Sequence, residues 1–188
     1  MNDHLKPIFE IVIPRLEKAN IAYWVYGGVG YASMVGRFYR KNTDVDLFVL
    51  ENEFEKVEAL LEHVCKEGNW KTCKSFNRFN RPKIELYAKR RERCSVIPVY
   101  KANSYVSFKF SRRPKDYPLD ILTPVKRKLE SFEFHSPQDN FLKQLLLDYL
   151  GCKKKYPNKD KRIEDARHIL SQSEFEKYFP NECYEANL

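Results

Sequence analysis

The sequence predicts an α/β (α+β) fold in which a mixed β-sheet is flanked by helices and followed by a C-terminal helical region. An apolar run at residues 21–26 stops at two glycines, and Val45–Leu50 is rich in β-branched and aromatic residues, so both segments predict strands. Apolar residues also recur with helical spacing near the N-terminus, after residue 52 and near the C-terminus. Predicted strands and helices therefore share the chain.

The first predicted element is an amphipathic helix. Its apolar side chains follow the i, i+3, i+4, i+7 pattern at Leu5, Ile8, Phe9, Val12, Ile13 and Leu16. Pro14 lies inside this pattern and removes one backbone donor, so we expect the helix to kink or to end early there. Residues 29–36, which follow the first predicted strand, predict a second and short helix.

A third helix and a series of strands follow the second predicted strand. Asn52 is placed to cap a helix whose apolar stripe would face the sheet, and Gly68 ends it. Further strands, separated by charged turns, are predicted at residues 70–76, 83–88, 94–100, 105–110 and 119–122. The charged residues 89–93 predict a hairpin turn.

The C-terminal part is predicted to be helical. Ser136 and Pro137 supply a helix start, a wide apolar stripe follows, and Gly151 stops the helix. A polar segment at residues 153–161 leads to another predicted helix at residues 162–170.

Composition is that of a globular protein. Of the 188 residues, 43% are hydrophobic and 14% aromatic, which is enough to build a core. No apolar run approaches the roughly 18 residues of a membrane-spanning helix, and the N-terminus lacks the basic and apolar regions of a signal peptide. The five cysteines have no metal-ligand spacing, so we expect reduced thiols in a cytoplasmic protein.

The net charge of +8 predicts attraction to polyanions. A nucleoside triphosphate needs only local positive charge, whereas a nucleic acid is usually bound by a continuous basic face. The basic residues of this chain occur in separated clusters. A nucleic-acid partner is therefore possible but not indicated, and no membrane partner is expected.

Two acidic residues, Asp44 and Asp46, lie at the start of the second predicted strand. Successive strand side chains alternate between faces, so these two carboxylates project from the same face. At about 4 Å and an effective dielectric constant near 20, their repulsion is on the order of 4 kcal/mol. Mg²⁺ (or Mn²⁺) would remove that repulsion, because hard cations are held by carboxylates and substrate phosphates. Gly27 and Gly28 would let the backbone approach those phosphates and present N–H groups to them.

This arrangement resembles the signature of the nucleotidyltransferase superfamily related to DNA polymerase β. The matching residues are Tyr26-Gly27-Gly28 and Asp44-Val45-Asp46-Leu47. Among the members of the superfamily, the chain is most similar to the small aminoglycoside and lincosamide nucleotidyltransferases. The resemblance implies a nucleotidyltransferase-like catalytic domain at residues 1–130, with a C-terminal helical region at residues 131–188 packed on it.

The resemblance also implies an activity. A nucleoside monophosphate would pass from a metal-bound nucleoside triphosphate to a hydroxyl group of a small-molecule, protein or RNA acceptor, and pyrophosphate would be released. Asp44 and Asp46 would hold the metal. The alternative is a catalytically silent member that keeps the fold as a binding or regulatory module, for example a toxin–antitoxin component or an RNA binder.

Basic residues lie between the glycines and the acids. Arg37 and Arg40 are the candidates for contact with triphosphate oxygens, because the planar guanidinium fork matches phosphate geometry. Solvation at the surface is the competing expectation for either side chain.

Members of the superfamily generally place a third carboxylate on a later strand, where it binds metal or takes the proton of the acceptor hydroxyl. Glu85 ranks first for this role, and Asp120 second. A third alignment places Ser95 where the acid would stand, and the usual base would then be missing. All three possibilities remain open at the level of sequence.

Overall fold

The computed structural model describes residues 2–68, 70–76, 82–88, 91–108, 115–151 and 159–182. Part of the predicted turn at residues 89–93 and most of the polar segment at residues 153–161 lie outside these ranges. The strands are β1 (Tyr23–Tyr26), β2 (Val45–Leu50), β3 (Lys71–Phe76), β4 (Pro82–Ala88), β5 (Arg91–Lys101), β6 (Tyr105–Phe108), β7 (Lys115–Pro118), β8 (Val125–Leu129) and β9 (Phe132–Ser136). The α-helices are α1 (Ile13–Lys18), α2 (Gly27–Val35), α3 (Phe54–Gly68), α4 (Asp139–Gly151), α5 (Lys159–Ile169) and α6 (Gln172–Tyr178).

The main sheet is mixed, as predicted. Its strands run in the order β1-β2-β5-β4-β3, and β6 and β7 extend it from β5. The β2 and β5 strands are parallel, while β1 and β4 run antiparallel to their neighbours. The β8 and β9 strands form a separate hairpin. The predicted fold class, with helices flanking a mixed sheet, is confirmed.

The two faces of the sheet are covered differently. One face packs against the N-terminal helices and α3 in the largest apolar cluster, to which the strands contribute Val25, Leu47 and Val96. The other face carries Trp24 and Phe48, which pack with Phe141 of α4 in a second cluster. Because side chains alternate along a strand, Asp46 shares the face of Phe48. The candidate site therefore opens on the second face, at the ends of β1 and β2.

The N-terminal helix does not end at Pro14. A π-helical segment, Ile8–Val12, leads directly into α1, and Pro14 lies in the first turn of that helix. The proline has no backbone donor, and the widened π turn directly precedes its ring. The helix thus changes type before the proline and continues to Lys18 instead of ending early, and Ile8, Val12 and Leu16 are buried.

The prediction of a strand at residues 119–122 is wrong. Leu119–Leu122 forms a 3-10 helix, whose Leu122 carbonyl accepts a hydrogen bond of 2.8 Å from Trp24 Nε1. A run of four residues is short enough for either conformation, and tertiary packing decides between them. The β8–β9 hairpin was not predicted, because the Lys and Arg residues of β8 interrupt the apolar pattern that indicates a strand.

The C-terminal helices form a third apolar cluster against α2. Tyr31 of α2 packs with Leu142, Ile163, Ala166 and Phe175 from the three later helices. The helix predicted from Ser136 begins at Asp139, because β9 extends through Ser136. None of the described helices is both long and apolar enough to cross a membrane.

Candidate active site

A row of polar side chains crosses four neighbouring strands. In the register of the sheet, Asp46 of β2 is opposite Ser95 of β5, and Ser95 is opposite Glu85 of β4. Tyr26 at the end of β1 is opposite Asp46 on the other side. Residues that are opposite one another project from the same face of a sheet. The sheet therefore sets Tyr26, Asp46, Ser95 and Glu85 in a line.

The two predicted metal-binding acids lie together beside Tyr26. Asp46 is within β2 and Asp44 immediately precedes it, and both are half-buried. Thr43 Oγ1 donates a hydrogen bond of 2.8 Å to Asp44 Oδ1. Burial raises the pKa of Tyr26 well above its ordinary value, and the negative charges of Asp46 and Asp44 raise it further. The charges of both carboxylates thus act on the same phenol.

Gly27 brings the main chain against one of these carboxylates. Its φ is +66°, in the left-handed region that favours glycine. A Cβ atom at this position would lie 2.5 Å from Asp46 Oδ2. The glycine therefore allows the start of α2 to approach the Asp46 carboxylate of β2, a contact that the sequence analysis did not predict.

Gly28 makes a different close contact. A Cβ atom there would lie 2.2 Å from Asn42 Oδ1 and 2.5 Å from Arg40 Nη2. The space that the missing side chain leaves is filled by two side chains of the following loop. The loop is itself fixed, since Asn42 N donates to Asn2 Oδ1 over 2.8 Å and His4 Nε2 lies 2.7 Å from the Asn42 carbonyl oxygen.

The two candidate phosphate-binding arginines have separate surroundings. Arg40 forms an ion pair with Asp165 of α5, at 2.6 Å between Nε and Oδ1, and only 9% of its side chain is exposed. Burial alone would lower its pKa, but the hydrogen bond and charge of Asp165 raise it above the ordinary value. Arg37 is exposed and lines a cavity of about 670 Å³ with Tyr39 and α5. Arg40 is thus next to the glycines, whereas Arg37 points to the C-terminal helices.

The three possibilities for the third carboxylate are now distinguished by position. Glu85 is two strands from Asp46, about 10 Å by the usual strand spacing, and Ser95 stands between them. Lys83 Nζ lies 2.5 Å from Glu85 Oε1, and Ser75 Oγ donates to Glu85 Oε2 over 2.6 Å. Burial favours the neutral acid, but the Lys83 and Ser75 hydrogen bonds outweigh it and lower the pKa of Glu85. Asp120 is exposed on the 3-10 helix and belongs to no strand.

The donor set suits a hard cation that a substrate helps to hold. Among the described residues, no cluster of three or more His, Cys, Asp or Glu side chains has the arrangement of a metal site. Asp44 and Asp46 offer oxygen ligands only, and Mg²⁺ is commonly bound by one or two carboxylates together with substrate phosphates and water. The chemistry of the pair therefore fits Mg²⁺ or Mn²⁺ in the presence of a nucleotide.

Sequence reasoning missed the contribution of α5 to this region. Asp165 is fully buried and receives hydrogen bonds from Arg40 and from Tyr39 Oη, 125 and 126 residues earlier in the chain. The available signal was weak: an acid next to Ala166 on the apolar stripe of a predicted helix. Such a residue is expected at the surface unless its partner is known.

The mixed sheet, the Gly-Gly turn and the paired acids define a nucleotidyltransferase fold. Residues 9–86, which contain both glycines, both aspartates and Glu85, match the family model for aminoglycoside-2''-adenylyltransferase. The chain has a nucleotidyltransferase fold and is similar to the antibiotic adenylyltransferases, so the resemblance inferred from its motif is confirmed. No curated protein sequence matches it significantly.

Solved structures share this fold at low sequence identity. The resistance enzyme ANT(2'')-Ia, in complex with adenylyl-2''-tobramycin, is 14% identical with a TM-score of 0.66, over 94% of this chain and 95% of that one. The lincosamide antibiotic adenylyltransferase LnuA, bound to lincomycin, is 15% identical with a TM-score of 0.60, over 88% and 97%. An antigenic nucleotidyltransferase-like protein from Paracoccidioides brasiliensis is 15% identical with a TM-score of 0.56, over 95% and 87%.

Proposed function

We propose that the protein transfers a nucleoside monophosphate from a nucleoside triphosphate to an acceptor hydroxyl. The observation that carries the proposal is the close approach of Gly27 to the carboxylate of Asp46, which follows Asp44 by two residues. This contact joins a helix N-terminus, which attracts phosphate, to a carboxylate pair, which attracts a divalent cation. A protein with no use for metal would gain nothing from two such adjacent acids.

Different residues would bind the metal and the phosphates. Asp44 and Asp46 would hold Mg²⁺ or Mn²⁺, which supplies charge neutralisation at the attacking and leaving oxygens when bound. Gly27 and Gly28 at the start of α2 would receive the phosphates, with the cation of Arg40 alongside and Arg37 further out. The acceptor oxygen would form a bond to the α-phosphorus while the bond to pyrophosphate breaks.

Glu85 is our assignment for the acid on the acceptor side. It shares the sheet face of Asp46, and its lowered pKa keeps it ionised and able to accept a hydrogen bond from the acceptor hydroxyl. The proton of that hydroxyl would pass to Glu85 or to water. Asp120 is less suited, since it lies outside the sheet.

The acceptor class remains open to experiment. The solved structures of ANT(2'')-Ia and LnuA contain an adenylylated aminoglycoside and a lincosamide, respectively. The net charge of +8 gives no long-range attraction for a polycationic aminoglycoside. We therefore place neutral and anionic hydroxyl compounds beside the antibiotics as candidates, together with protein and RNA hydroxyls.

The test is a transfer assay with each nucleoside triphosphate labelled at the α-phosphorus, Mg²⁺ or Mn²⁺, and a panel of these acceptors. Wild type should form a labelled product. Glu85→Gln should bind the metal nucleotide normally but transfer roughly 10²- to 10⁴-fold more slowly, the usual contribution of positioned proton transfer. Asp120→Asn, the matched control, should transfer like wild type, and the reverse pattern would move the role to Asp120.

A silent binding module is the second candidate function. It is favoured by Ser95, which occupies the strand position next to Asp46, and by the ion pair that already engages Glu85. Such a protein would bind the metal nucleotide, yet no preparation would transfer label to any acceptor. That outcome, with intact nucleotide binding, would favour the binding module over the enzyme as the function of this protein.

A further inference from the structure

Asp165 is a buried carboxylate of the C-terminal helix α5, and it binds Arg40 in the loop that precedes Asp44 and Asp46. It is fully inaccessible to solvent and receives Nε and Nη2 of Arg40 on its two oxygens, at 2.6 and 2.9 Å. Tyr39 Oη donates to the same carboxylate over 2.9 Å, and Arg162 Nη1 lies 3.3 Å away. Such a two-pronged pair fixes the plane of the guanidinium as well as its position.

Arg40 is held with its cationic end against the start of α2. Its Nη2 atom occupies the space where a Cβ of Gly28 would lie, and its Nη1 atom donates to Asn42 Oδ1 over 2.7 Å and to the Lys41 carbonyl over 3.3 Å. A guanidinium has five N–H donors. These contacts use four of them, so Arg40 offers an incoming ligand its charge and at most one hydrogen bond.

We propose that Asp165 is a positioning residue for nucleotide phosphates, and that it acts by holding the Arg40 cation beside Gly28. The inference rests on the proposed function. An arginine side chain has much rotational freedom and would otherwise extend into water. Held here, its positive charge adds to that of the helix N-terminus, and its effect grows with the number of phosphates on the ligand.

The expected signature is therefore a dependence on phosphate number. The variant is Asp165→Asn, which keeps the shape but removes the charge that holds Arg40. The matched control is Tyr39→Phe, which deletes one hydrogen bond to the same carboxylate and leaves the Arg40 pair intact. Calorimetric titration with the Mg²⁺ forms of AMP, ADP and ATP gives the affinities, and thermal melting reports the fold.

Asp165→Asn should weaken ATP binding by roughly tenfold or more, ADP binding by less, and AMP binding by under about twofold. Tyr39→Phe should lower the melting temperature while preserving the affinity ratio of ATP to AMP. If Asp165→Asn fails to fold, the neutral pair Arg40→Gln with Asp165→Asn avoids a lone buried charge and should show the same selective loss.

Two results would overturn the inference while leaving the proposed function intact. One is a folded Asp165→Asn or neutral-pair variant that binds ATP like wild type. The other is an equal loss for AMP, ADP and ATP, which would show a purely structural role. A wild-type protein that binds no nucleotide at all would instead overturn the proposed function, and this inference with it.

Discussion

Gly27 and Gly36 are two glycines with the same backbone requirement and different surroundings. Their φ angles are +66° and +80°, so a side chain strains the backbone at either position. A Cβ at Gly27 would lie 2.5 Å from Asp46 Oδ2, whereas a Cβ at Gly36 would meet nothing within 4 Å. A comparison of substitutions at Gly27 and Gly36 therefore distinguishes the effect of backbone strain from the effect of contact with the site.

Gly27→Ala should therefore abolish or strongly weaken metal-dependent nucleotide binding, because the new methyl group displaces the Asp46 carboxylate. Gly36→Ala should cost a similar backbone penalty of about 1 kcal/mol in stability and leave binding unchanged. Urea unfolding and nucleotide titration of both variants measure the two effects. Equal binding by the two variants would mean that Gly27 is required only for the turn.

At the scale of elements, the sequence predicted best where a periodic pattern was reinforced by burial. Val45–Leu50 alternates an apolar face with a face that carries Asp46, and β2 has the predicted bounds. The 3-10 helix at Leu119–Leu122 and the β8–β9 hairpin were not found, because short or cation-rich segments take their conformation from packing.

The site was predictable in its local part only. Gly27 and Asp46 belong to one sequence motif, so their membership of one site was predicted, but the contact between them was not. The pairing of Arg40 with Asp165 spans 125 residues and depends on how α5 docks against α2. The opposition of Ser95 to Asp46 likewise depends on which strands become neighbours, which no local pattern specifies.

The last described helix, α6, gives an element-scale test that depends on pH. Ser171 and Glu174 form a capping box, and Lys143 of α4 lies 2.8 Å from Glu174 Oε2. The hydrogen bond with Lys143, followed by that with the Ser171 backbone, lowers the pKa of Glu174 from 4.5 to about 2. The ionised carboxylate therefore ties α6 to α4.

Glu174→Gln should lower the free energy of unfolding at neutral pH by less than about 1 kcal/mol, because the Lys143 and Glu174 side chains are 35% and 32% exposed and solvent screens their interaction. A lowered folded-state pKa gives stability that is present above pH 4.5 and is lost as pH falls through about 2. The difference in free energy of unfolding between wild type and Glu174→Gln should therefore disappear as the pH falls from 4.5 to about 2. Glu176→Gln, on the same helix, is the control; a gap that persists at pH 2 would contradict the linkage.

At the scale of the whole molecule, the N-terminal residues and the C-terminal helices converge on one loop. Asn2 and His4 bind Asn42 from one side, and Asp165 binds Arg40 from the other. This loop leads to Asp44, which immediately precedes β2. The division at residue 130 stays a prediction, and the contacts show the later helices packed on α2 and joined to this loop.

The central claim is that Asp44 and Asp46 bind a divalent cation together with a nucleotide. Calorimetric titration of Mg²⁺ and ATP into wild type, Asp44→Asn and Asp46→Asn tests it most directly, since each change removes one charge with little change of volume. Asp116→Asn, at an exposed position of β7, is the matched control. Both site variants should lose metal-dependent affinity while they melt like wild type and the control. Unchanged metal-dependent binding in both would contradict the assignment of the site.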